Sequence, residues 1–538
     1  MPPANPDTLI SQAATALSRG DLATAERAAS QALAASGDGN SDALHLMGLV
    51  RIRQDRLDEA AGLLAEADHL RPGQPRLLLN LGKVLAALGR LDEAEAALDR
   101  GLNRAPTPAL KADLAADLFA VQRRGAKREA ALATAALVQR LDPARTAFDA
   151  ERFDLLQEMG RDDEALAQLR VMLAREPGNP ALHRHYNDLL HVTGREDEMF
   201  RSYDAAPPSA ELALDKAALL AEAGRSEEAQ ATCAALLARE PENLGALLRA
   251  AALLSQMNRA KDALALLEKA YHDRLGDRSG ELGLKAGIGN AALMGGDPQK
   301  AAAMLEAVVA QAPHDNNSLA RLSTAWRLLD DARDETLMGY DELVRVFDLE
   351  PPPGFSDMAA FNAALEEELQ RLHPQRREFL GQSLRRGTQT AGHLFGGGHR
   401  LVEQLKTRID EAVVRYIAGL DTDAAHPLRG RRRGGFAYNG SWSSRLGDCG
   451  FHVNHIHPMG WISSCYYAGL PACVADESAR QGWIKFGEPD FDAGLPIRRA
   501  IQPRVGRLVL FPSYMWHGTI PFHGEEKRTT IAFDVVPV

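Results

Sequence analysis

Apolar residues recur at helical spacing through about the first 330 residues, in short segments rich in Ala and Leu. The segments LLLNLGKVLAAL at 77–88 and AEAALDRGLNRA at 94–105 form one such pair, with a few mostly polar residues between them. An apolar stripe of period 3.6 indicates a helix that buries one face. Each pair of segments therefore predicts two amphipathic helices joined by a tight turn.

The turn carries a six-residue phrase that returns every 30 to 38 residues. Its glycine supplies the backbone freedom of the turn, and an alanine five residues later lets the two helices approach closely. Prolines such as Pro72, Pro106 and Pro177 fall where a second helix would stop. We count nine units, and the sixth is irregular because its spacing is short and the segment 206–208 interrupts it. The phrases begin at Gly20, Asp55, Gly89, Gly125, Gly160, Gly194, Gly224, Asn258 and Gly296.

This pattern resembles the tetratricopeptide repeat (TPR) family over residues 8–330. The match includes the small residues Gly48 and Gly82, the turn glycine, the alanine and the terminal proline, whereas the aromatic positions of the family are mostly Leu or Ala here. The resemblance implies a stacked solenoid whose concave groove binds a protein or peptide partner.

The periodicity fades after residue 331, and the pattern becomes that of an α+β domain. A strand is predicted at 340–349, and helices at 356–373, with Ser356 as N-cap, and at 401–420. From residue 436 onward, short runs rich in Val, Ile and aromatic residues alternate with Gly and Pro turns, as in a β-sandwich or barrel. We therefore predict two domains: an all-α solenoid at 1–335, and an antiparallel double sheet with helices packed outside it at 336–538.

Composition and charge exclude several classes of protein. A chain of 538 residues exceeds what one hydrophobic core supports, and 45 % hydrophobic with 25 % charged residues is typical of globular proteins. The net charge of −11 argues against a general nucleic-acid binder. The four cysteines lack CxxC spacing, and we find neither a signal peptide nor an apolar run of about 18 residues. We expect a cytoplasmic protein with no nucleic-acid or membrane partner.

Candidate chemistry is concentrated near the C-terminus. His455 and His457 are two residues apart in a β-rich segment, so on a strand both side chains would face the same side. His517 follows about sixty residues later, and Arg528 and Thr530 again alternate. Three imidazoles can ligate a metal, and the planar fork of an arginine suits a carboxylate. The pattern predicts a metal site with an anion clamp beside it.

Three segments, HIHPMGWISSCYY, GRLVLFPSYMWHGTIPF and KRTTIAFDV, resemble the 2-oxoglutarate/Fe(II)-dependent oxygenase superfamily, in particular its bacterial and phage branch. The resemblance covers 340–538 and includes GTQT at 387–390. It implies a double-stranded β-helix of the jelly-roll or cupin type that uses Fe(II), 2-oxoglutarate and O₂ to hydroxylate a second substrate. Carried onto this chain, it makes His455 and His517 iron ligands. It also makes Arg528 and Thr530, with Tyr467 as a further hydrogen-bonding group, the oxoacid site.

One position departs from the pattern of that superfamily, because His457 stands where a carboxylate is usual. Either His457 completes a three-histidine site, since neutral imidazole suits iron, or two histidines suffice and His457 orients the substrate or a ligand. A third alternative is that Asp448 reaches the metal by looping back.

Other residues near the motif have ordinary structural explanations. Arg528 could pair with Glu525 or Glu526, and the basic stretch 429–435 could be a solvated loop or a lid over an anionic substrate. Gln389 is expected in a loop that could contact substrate. The remaining residues are expected to be core aromatics or satisfied histidines outside the site: Trp461, Tyr466, Trp516, His393, His452 and His523.

Three functions compete at this point. The leading hypothesis is a 2-oxoglutarate/Fe(II)-dependent oxygenase whose repeats recruit a protein or peptide substrate. The second is a non-catalytic TPR adaptor with a degenerate barrel, against which His455, His517 and Arg528 count. The third is a three-histidine, cupin-type dioxygenase that does not use 2-oxoglutarate.

Overall fold

Helices joined by short turns make up most of the chain, and β-strands appear only after residue 344 in the part that the computed structural model describes. The described residues are 5–36, 39–273, 281–373, 377–390, 393–432 and 434–538. The chain divides into two compact units, Met1–Met159 and Gly160–Val538. The domain boundary at 335/336 stays a prediction. Among the described residues, no helix combines the length and the apolar character needed to cross a bilayer.

In the part of the chain that the structure describes, the first unit consists of four antiparallel helix pairs followed by a ninth helix. Alanines and leucines of successive helices form its cores, as in the cluster around Leu64, Leu81 and Leu98. Its helices are α1 Pro6–Ser18, α2 Leu22–Ala35, α3 Ser41–Arg53, α4 Leu57–Leu70, α5 Pro75–Ala87, α6 Leu91–Arg104, α7 Pro108–Arg124, α8 Arg128–Leu141 and α9 Ala147–Glu158.

The turn inside each pair requires a residue in the left-handed region. Gly20 and Gly89 take it with φ of 78° and 77°, and Asp55 takes it with φ of 58°. In the fourth pair the left-handed residue is Ala126, with φ of 55°, whereas Gly125 before it has φ of −80°. The expectation that Gly125 supplies this turn is therefore wrong by one position, because the left-handed residue lies two positions after the end of the helix, here Arg124, as it does after α1, α3 and α5.

The second unit begins with the remaining helical repeats. The sixth pair is irregular, since a 3₁₀ turn at Glu196–Glu198 and a five-residue helix replace its second helix. The last helix of this region is α19, with 13 residues. The helices are α10 Asp162–Arg175, α11 Pro180–Val192, α12 Arg201–Ala205, α13 Ala210–Glu222, α14 Ser226–Arg239, α15 Leu244–Gln256, α16 Ala260–Asp273, α17 Glu281–Met294, α18 Pro298–Val309 and α19 Asn316–Leu328.

The rest of the second unit is a double-stranded β-helix of two antiparallel sheets with helices packed against it, so the fold is α+β as predicted. The helices are α20 Arg333–Met338, α21 Tyr340–Leu343, α22 Met358–Gln370 and α23 Arg400–Ala418. The strands are β1 Arg345–Asp348, β2 Leu384–Gln389, β3 Phe436–His452, β4 Ile462–Gly469, β5 Ile484–Phe486, β6 Arg499–Ile501, β7 Arg507–Pro512, β8 His517–Thr519 and β9 Arg528–Pro537.

The sheet order places β4 and β9 inside the larger sheet and β8, which carries His517, at one edge of the smaller sheet. One sheet has the order β1-β7-β4-β9-β3-β2, and the other has the order β6-β5-β8. Leucine, valine and aromatic side chains of β4, β7 and β9 pack with α22 and α23 into one core. The phenol of Tyr466 donates to Asn362 of α22 at 2.8 Å, and Tyr416 of α23 donates to the Leu343 carbonyl oxygen at 2.7 Å.

Four local predictions need correction. The strand predicted at 340–349 begins only at Arg345, because α21 occupies 340–343. The N-cap of α22 is Asp357 rather than Ser356, and its carboxylate accepts from the Ala360 N–H at 2.8 Å. Gln389 ends strand β2 and is not in a loop. Of the basic stretch, 429–431 forms a 3₁₀ turn in which Arg429 pairs with Glu342, and residue 433 lies outside the described residues.

Candidate metal and anion site

The HIHP segment lies between β3 and β4 and is extended but not part of a regular strand, which corrects the prediction of a strand there. His455 forms an isolated β-bridge with His517, in which each backbone N–H donates to the carbonyl oxygen of the other residue at 2.9 and 3.0 Å. The N–H of His457 donates to the Ser513 carbonyl oxygen at 2.9 Å. Pro458 has no N–H and ends the pairing. These backbone bonds bring all three histidines to one place.

The Nε2 atoms of the three imidazoles point towards one another. The ring centroids of His455 and His517 are 4.2 Å apart, and those of His457 and His517 are 5.0 Å apart. The Nε2 atoms of His455 and His457 are 3.3 Å apart. One ligand atom from each of the three residues lies within 4.8 Å of the others. Three nitrogen donors can therefore share one cation.

The opposite edge of each ring has an acceptor. Nδ1 of His455 lies 2.7 Å from the Val453 carbonyl oxygen, and Nδ1 of His517 lies 3.0 Å from the Met515 carbonyl oxygen. Nδ1 of His457 lies 2.6 Å from Oδ1 of Asp534. An acceptor at Nδ1 places the proton there and leaves the Nε2 lone pair for a metal, which is the arrangement usual for metal-ligating histidines.

Burial keeps the imidazoles of His455 and His517 neutral. It lowers the pKa of His455 to about 3, with a further contribution from His457, and it lowers the pKa of His517 well below its usual range. With a proton on each Nδ1, the Nε2 lone pairs of His455 and His457 face each other at 3.3 Å and repel unless a cation lies between them. The donor set therefore fits a divalent transition metal.

Arg528 is buried beside this cluster without an acidic partner. Its side chain is 1 % exposed, and no carboxylate of a described residue lies within 4 Å of it. Nε donates to the Gly482 carbonyl oxygen at 3.0 Å, which fixes the side chain and leaves the Nη nitrogens for a ligand. Glu526 accepts from the Ala472 N–H at 2.6 Å and does not pair with Arg528. A buried guanidinium without a counter-ion is costly unless an anion binds to it.

Alternate residues of β9 face one cavity of about 320 Å³. Arg528, Thr530, Ala532 and Asp534 line it, together with the three histidines. Polar and aromatic side chains form the rest of the cavity lining, and they belong to Gln389, Ser444, Trp442, Cys465 and His452. The cavity therefore has the metal-type donors and the guanidinium in the same space.

Tyr467 does not line this cavity. Its ring lies beneath Arg528, with the guanidinium carbon 5.1 Å from the ring centroid. The buried hydroxyl has no hydrogen-bond partner among the described residues. The side chain therefore supports the guanidinium from behind.

Two residues of the site were missed in the sequence. Asp534 is the fourth residue in the alternation that begins at Arg528, and that alternation could have identified it. His452 was expected to lie outside the site, but its ring is 6.1 Å from that of His455, and burial lowers its pKa well below the usual range.

Asp448 does not reach the cavity. It is exposed, and its Oδ1 accepts from the Gly524 N–H at 3.0 Å. The structure brings it together with Cys449 and His523 at the surface, where Sγ of Cys449 lies 3.2 Å from Nδ1 of His523. The alternative in which Asp448 joins the histidines is thus not supported by its position.

Two family models match the chain. One, described as "Putative 2OG-Fe(II) oxygenase", matches residues 440–534, a range that contains the three histidines, Arg528 and Asp534. The other, "Tetratricopeptide repeat", matches residues 51–118. The two family resemblances are confirmed over these ranges.

Solved structures that resemble the chain are repeat proteins. A tetratricopeptide repeat protein from Parabacteroides merdae is 17 % identical, with 42 % of this chain and 90 % of that chain covered and a TM-score of 0.29. Pseudomonas aeruginosa pilF is 19 % identical, with 45 % and 94 % covered and a TM-score of 0.27. YrrB, described as a TPR protein with an unusual peptide-binding site, is 17 % identical, with 35 % and 96 % covered and a TM-score of 0.28.

Because these TM-scores are low, the repeat assignment rests on the family model and on the helix pairs. No curated protein matches the chain.

Proposed function

We propose that the chain is an Fe(II)- and 2-oxoglutarate-dependent dioxygenase of the hydroxylase type, and that its repeats recruit a protein or peptide substrate. One observation carries the proposal: three imidazoles converge beside a buried guanidinium that has no acidic partner among the described residues. The match to the oxygenase family model supports iron as the metal and 2-oxoglutarate as the anion.

His455, His457 and His517 would hold the iron. When bound, iron and 2-oxoglutarate supply the oxidising chemistry: O₂ is consumed, the oxoacid loses CO₂ and becomes succinate, and the second substrate is oxidised. The residues of the chain bind and orient these groups. His457 acts as the third ligand, a role supported by the position of its Nε2 next to His455 and by the acceptor at its Nδ1.

Arg528 and Thr530 would bind the distal carboxylate of the oxoacid. The Nη nitrogens of Arg528 offer two parallel donors, and the Thr530 hydroxyl adds a third on the same strand face. Tyr467 would contribute by holding the guanidinium in place, since its ring lies against Arg528. The surrounding apolar core excludes water, which strengthens each charge-assisted hydrogen bond.

A macromolecular substrate is favoured by the architecture. A stack of helix pairs offers a far longer surface than a small metabolite needs, and repeats of this type use that surface for recognition. The four cysteines are free in the structure, in keeping with a reducing compartment, and we place the protein in the cytoplasm.

Anaerobic titration tests the proposal. Fe(II) and 2-oxoglutarate added together should produce a visible charge-transfer band that neither produces alone, and admission of O₂ should yield succinate. His517→Ala should abolish the band, because it removes one of three metal donors. If the wild-type protein shows neither band nor succinate, the adaptor hypothesis replaces this one. If it oxidises a substrate without 2-oxoglutarate, the cupin-type alternative does.

A further inference from the structure

Asn316, the first residue of α19, contacts the loop that carries His457. Its side-chain amide donates to the carbonyl oxygen of His457 at 2.9 Å and to that of Gly460 at 2.8 Å. The residue is 3 % exposed, so water does not substitute for either bond. Both amide hydrogens therefore hold the four-residue turn 457–460, which begins at His457.

The same helix also holds the segment of His517. The indole N–H of Trp516 donates to the Ala320 carbonyl oxygen at 3.0 Å and to the Thr324 hydroxyl at 3.1 Å. Trp516 directly precedes His517 and is buried. Helix α19 thus contacts both ligand-bearing segments, one at the ligand itself and one at the adjacent residue.

A third contact joins α19 to the loop after β5. Arg321 forms a two-pronged ion pair with Asp490, with both N–O distances at 2.9 Å. Arg327 donates to the carbonyl oxygen of Pro496 at 2.9 Å and also to that of Gly487. The preceding strand β5 pairs Phe486 with His517. The helix therefore supports the site from three directions.

These contacts matter because the HIHP segment lacks a full strand ladder. Regular strands are held by hydrogen bonds on both sides, whereas the segment from 455 to 460 has only a few backbone bonds to the chain around His517 and Ser513. A buried hydrogen bond contributes about 1 kcal/mol, and a buried carbonyl oxygen left without a donor costs about 1–3 kcal/mol. Loss of the Asn316 amide would leave the Gly460 carbonyl oxygen without its donor, and it would leave the His457 carbonyl oxygen with only the Gly460 N–H at 3.3 Å.

We propose that Asn316 is a positioning residue for His457, and that α19, the last long helix of the repeat region, belongs structurally to the metal site. The inference rests on the proposed function only in so far as His457 binds a metal. It means that α19 and the barrel, both in the second unit, form one site rather than two independent parts.

The test compares Asn316→Ala with Asn317→Ala in the full-length protein. Asn317 is the next residue of the same helix and is exposed, so its variant is a matched control. Co(II) titration under anaerobic conditions should show a dissociation constant raised about 10- to 100-fold in Asn316→Ala, the range found for residues that orient metal ligands, and no change in Asn317→Ala. Equal Co(II) affinity in both variants would overturn the proposal.

Hydrogen exchange of the metal-free protein gives a second readout. The peptide around 455–462 should exchange faster in Asn316→Ala than in Asn317→Ala, while peptides of α22 and α23 stay unchanged. This measurement separates the two claims: a wild-type protein that binds no Co(II) would refute the proposed function, and exchange alone would then decide whether Asn316 orders the turn. Unchanged exchange at 455–462 would refute that role.

Trp516→Phe serves if Asn316→Ala fails to fold. It keeps an aromatic ring but removes the indole N–H that binds α19 together with part of the buried ring volume, so the segment of His517 should loosen. Faster exchange around 513–519, with Co(II) affinity lowered several-fold, would support the role of α19. Wild-type values for both would contradict it.

Discussion

His457 and Asp534 form a hydrogen bond of 2.6 Å between Nδ1 and Oδ1, although 77 residues separate them in sequence. The same carboxylate oxygen accepts from the Ser463 hydroxyl at 2.6 Å. The carboxylate thus lies behind the imidazole and favours the tautomer with the proton on Nδ1. The acidic group contacts the histidine and not the space between the three Nε2 atoms.

Replacing Asp534 with Ala should weaken metal binding about 10- to 100-fold, since Nδ1 of His457 would lose its acceptor and the ring its fixed orientation. Asp534→Asn keeps an oxygen that can accept and should lose less. Anaerobic Co(II) titration measures both variants. Identical affinity in Asp534→Ala and the wild type would show that His457 is not a ligand.

Arg528→Lys should weaken 2-oxoglutarate binding by at least about tenfold, because a single ammonium cannot present two parallel donors to a carboxylate. Co(II) affinity should stay the same, since Arg528 does not belong to the donor set. Arg445→Lys is a suitable control: Arg445 lies on β3 opposite Thr529, a residue that alternates away from the cavity. Isothermal titration with 2-oxoglutarate in the presence of Co(II) measures the effect, and equal loss in both variants would contradict the assignment.

Gly82 is required for close packing of α5 against α6. A Cβ added there would lie 2.7 Å from Cδ2 of Leu98 and still closer to its Cγ, so Gly82→Ala should destabilise the protein by about 1–3 kcal/mol. Gly62 is exposed on α4 and has open space around it, so Gly62→Ala should stabilise by about 0.5–1 kcal/mol. Urea unfolding measures the change in unfolding free energy of each variant relative to the wild type. A change of the same sign in both variants would refute this packing.

His373 should make the barrel sensitive to acid. Its two ring nitrogens lie 2.8 Å from the Thr388 hydroxyl and 3.1 Å from the Ser443 hydroxyl. Burial, with a contribution from Arg445, lowers its pKa from 6.5 to about 3. Between these two values the unfolded chain binds a proton that the folded chain does not, so stability falls as the pH falls from 6.5 towards 3.

The expected loss is up to about 1.4 kcal/mol per pH unit in that window. His373→Gln keeps polar atoms for both hydroxyls and cannot be protonated, so its stability should decline less steeply. The measurement is the difference in unfolding free energy between the two proteins at pH 7 and at pH 5. A difference that does not change with pH would contradict this account.

The helical repeats could be predicted because their determinants are local. The spacing of apolar residues, a turn residue and a small residue at close approach lie within a few positions of each other. The errors are correspondingly small: Ala126 rather than Gly125 takes the left-handed turn, and Asp357 rather than Ser356 caps α22. Two neighbouring residues can each occupy a turn or cap position. The residue at which the helix begins or ends decides which of the two does so.

The site was predictable only in part because its assembly depends on distant contacts. A backbone bridge between His455 and His517 joins the two segments that carry the three histidines. The sequence does not show that this bridge is isolated and that the segment around His455 is not a regular strand. Gln389 becomes part of β2 because it pairs with Ser444 on β3. The role of Asn316 could not have been inferred, since its partners lie more than 140 residues away.

The turns between paired helices differ in the conformational free energy that their left-handed residue requires. Glycine accepts the left-handed conformation freely and Asp or Asn tolerate it, but at Ala126 the Cβ meets the following carbonyl oxygen, a cost of about 1–2 kcal/mol. In a stack of helix pairs, local unfolding begins at the pair with the lowest stability. We expect fraying of the first unit on warming to begin between α7 and α8, well before the sheets loosen.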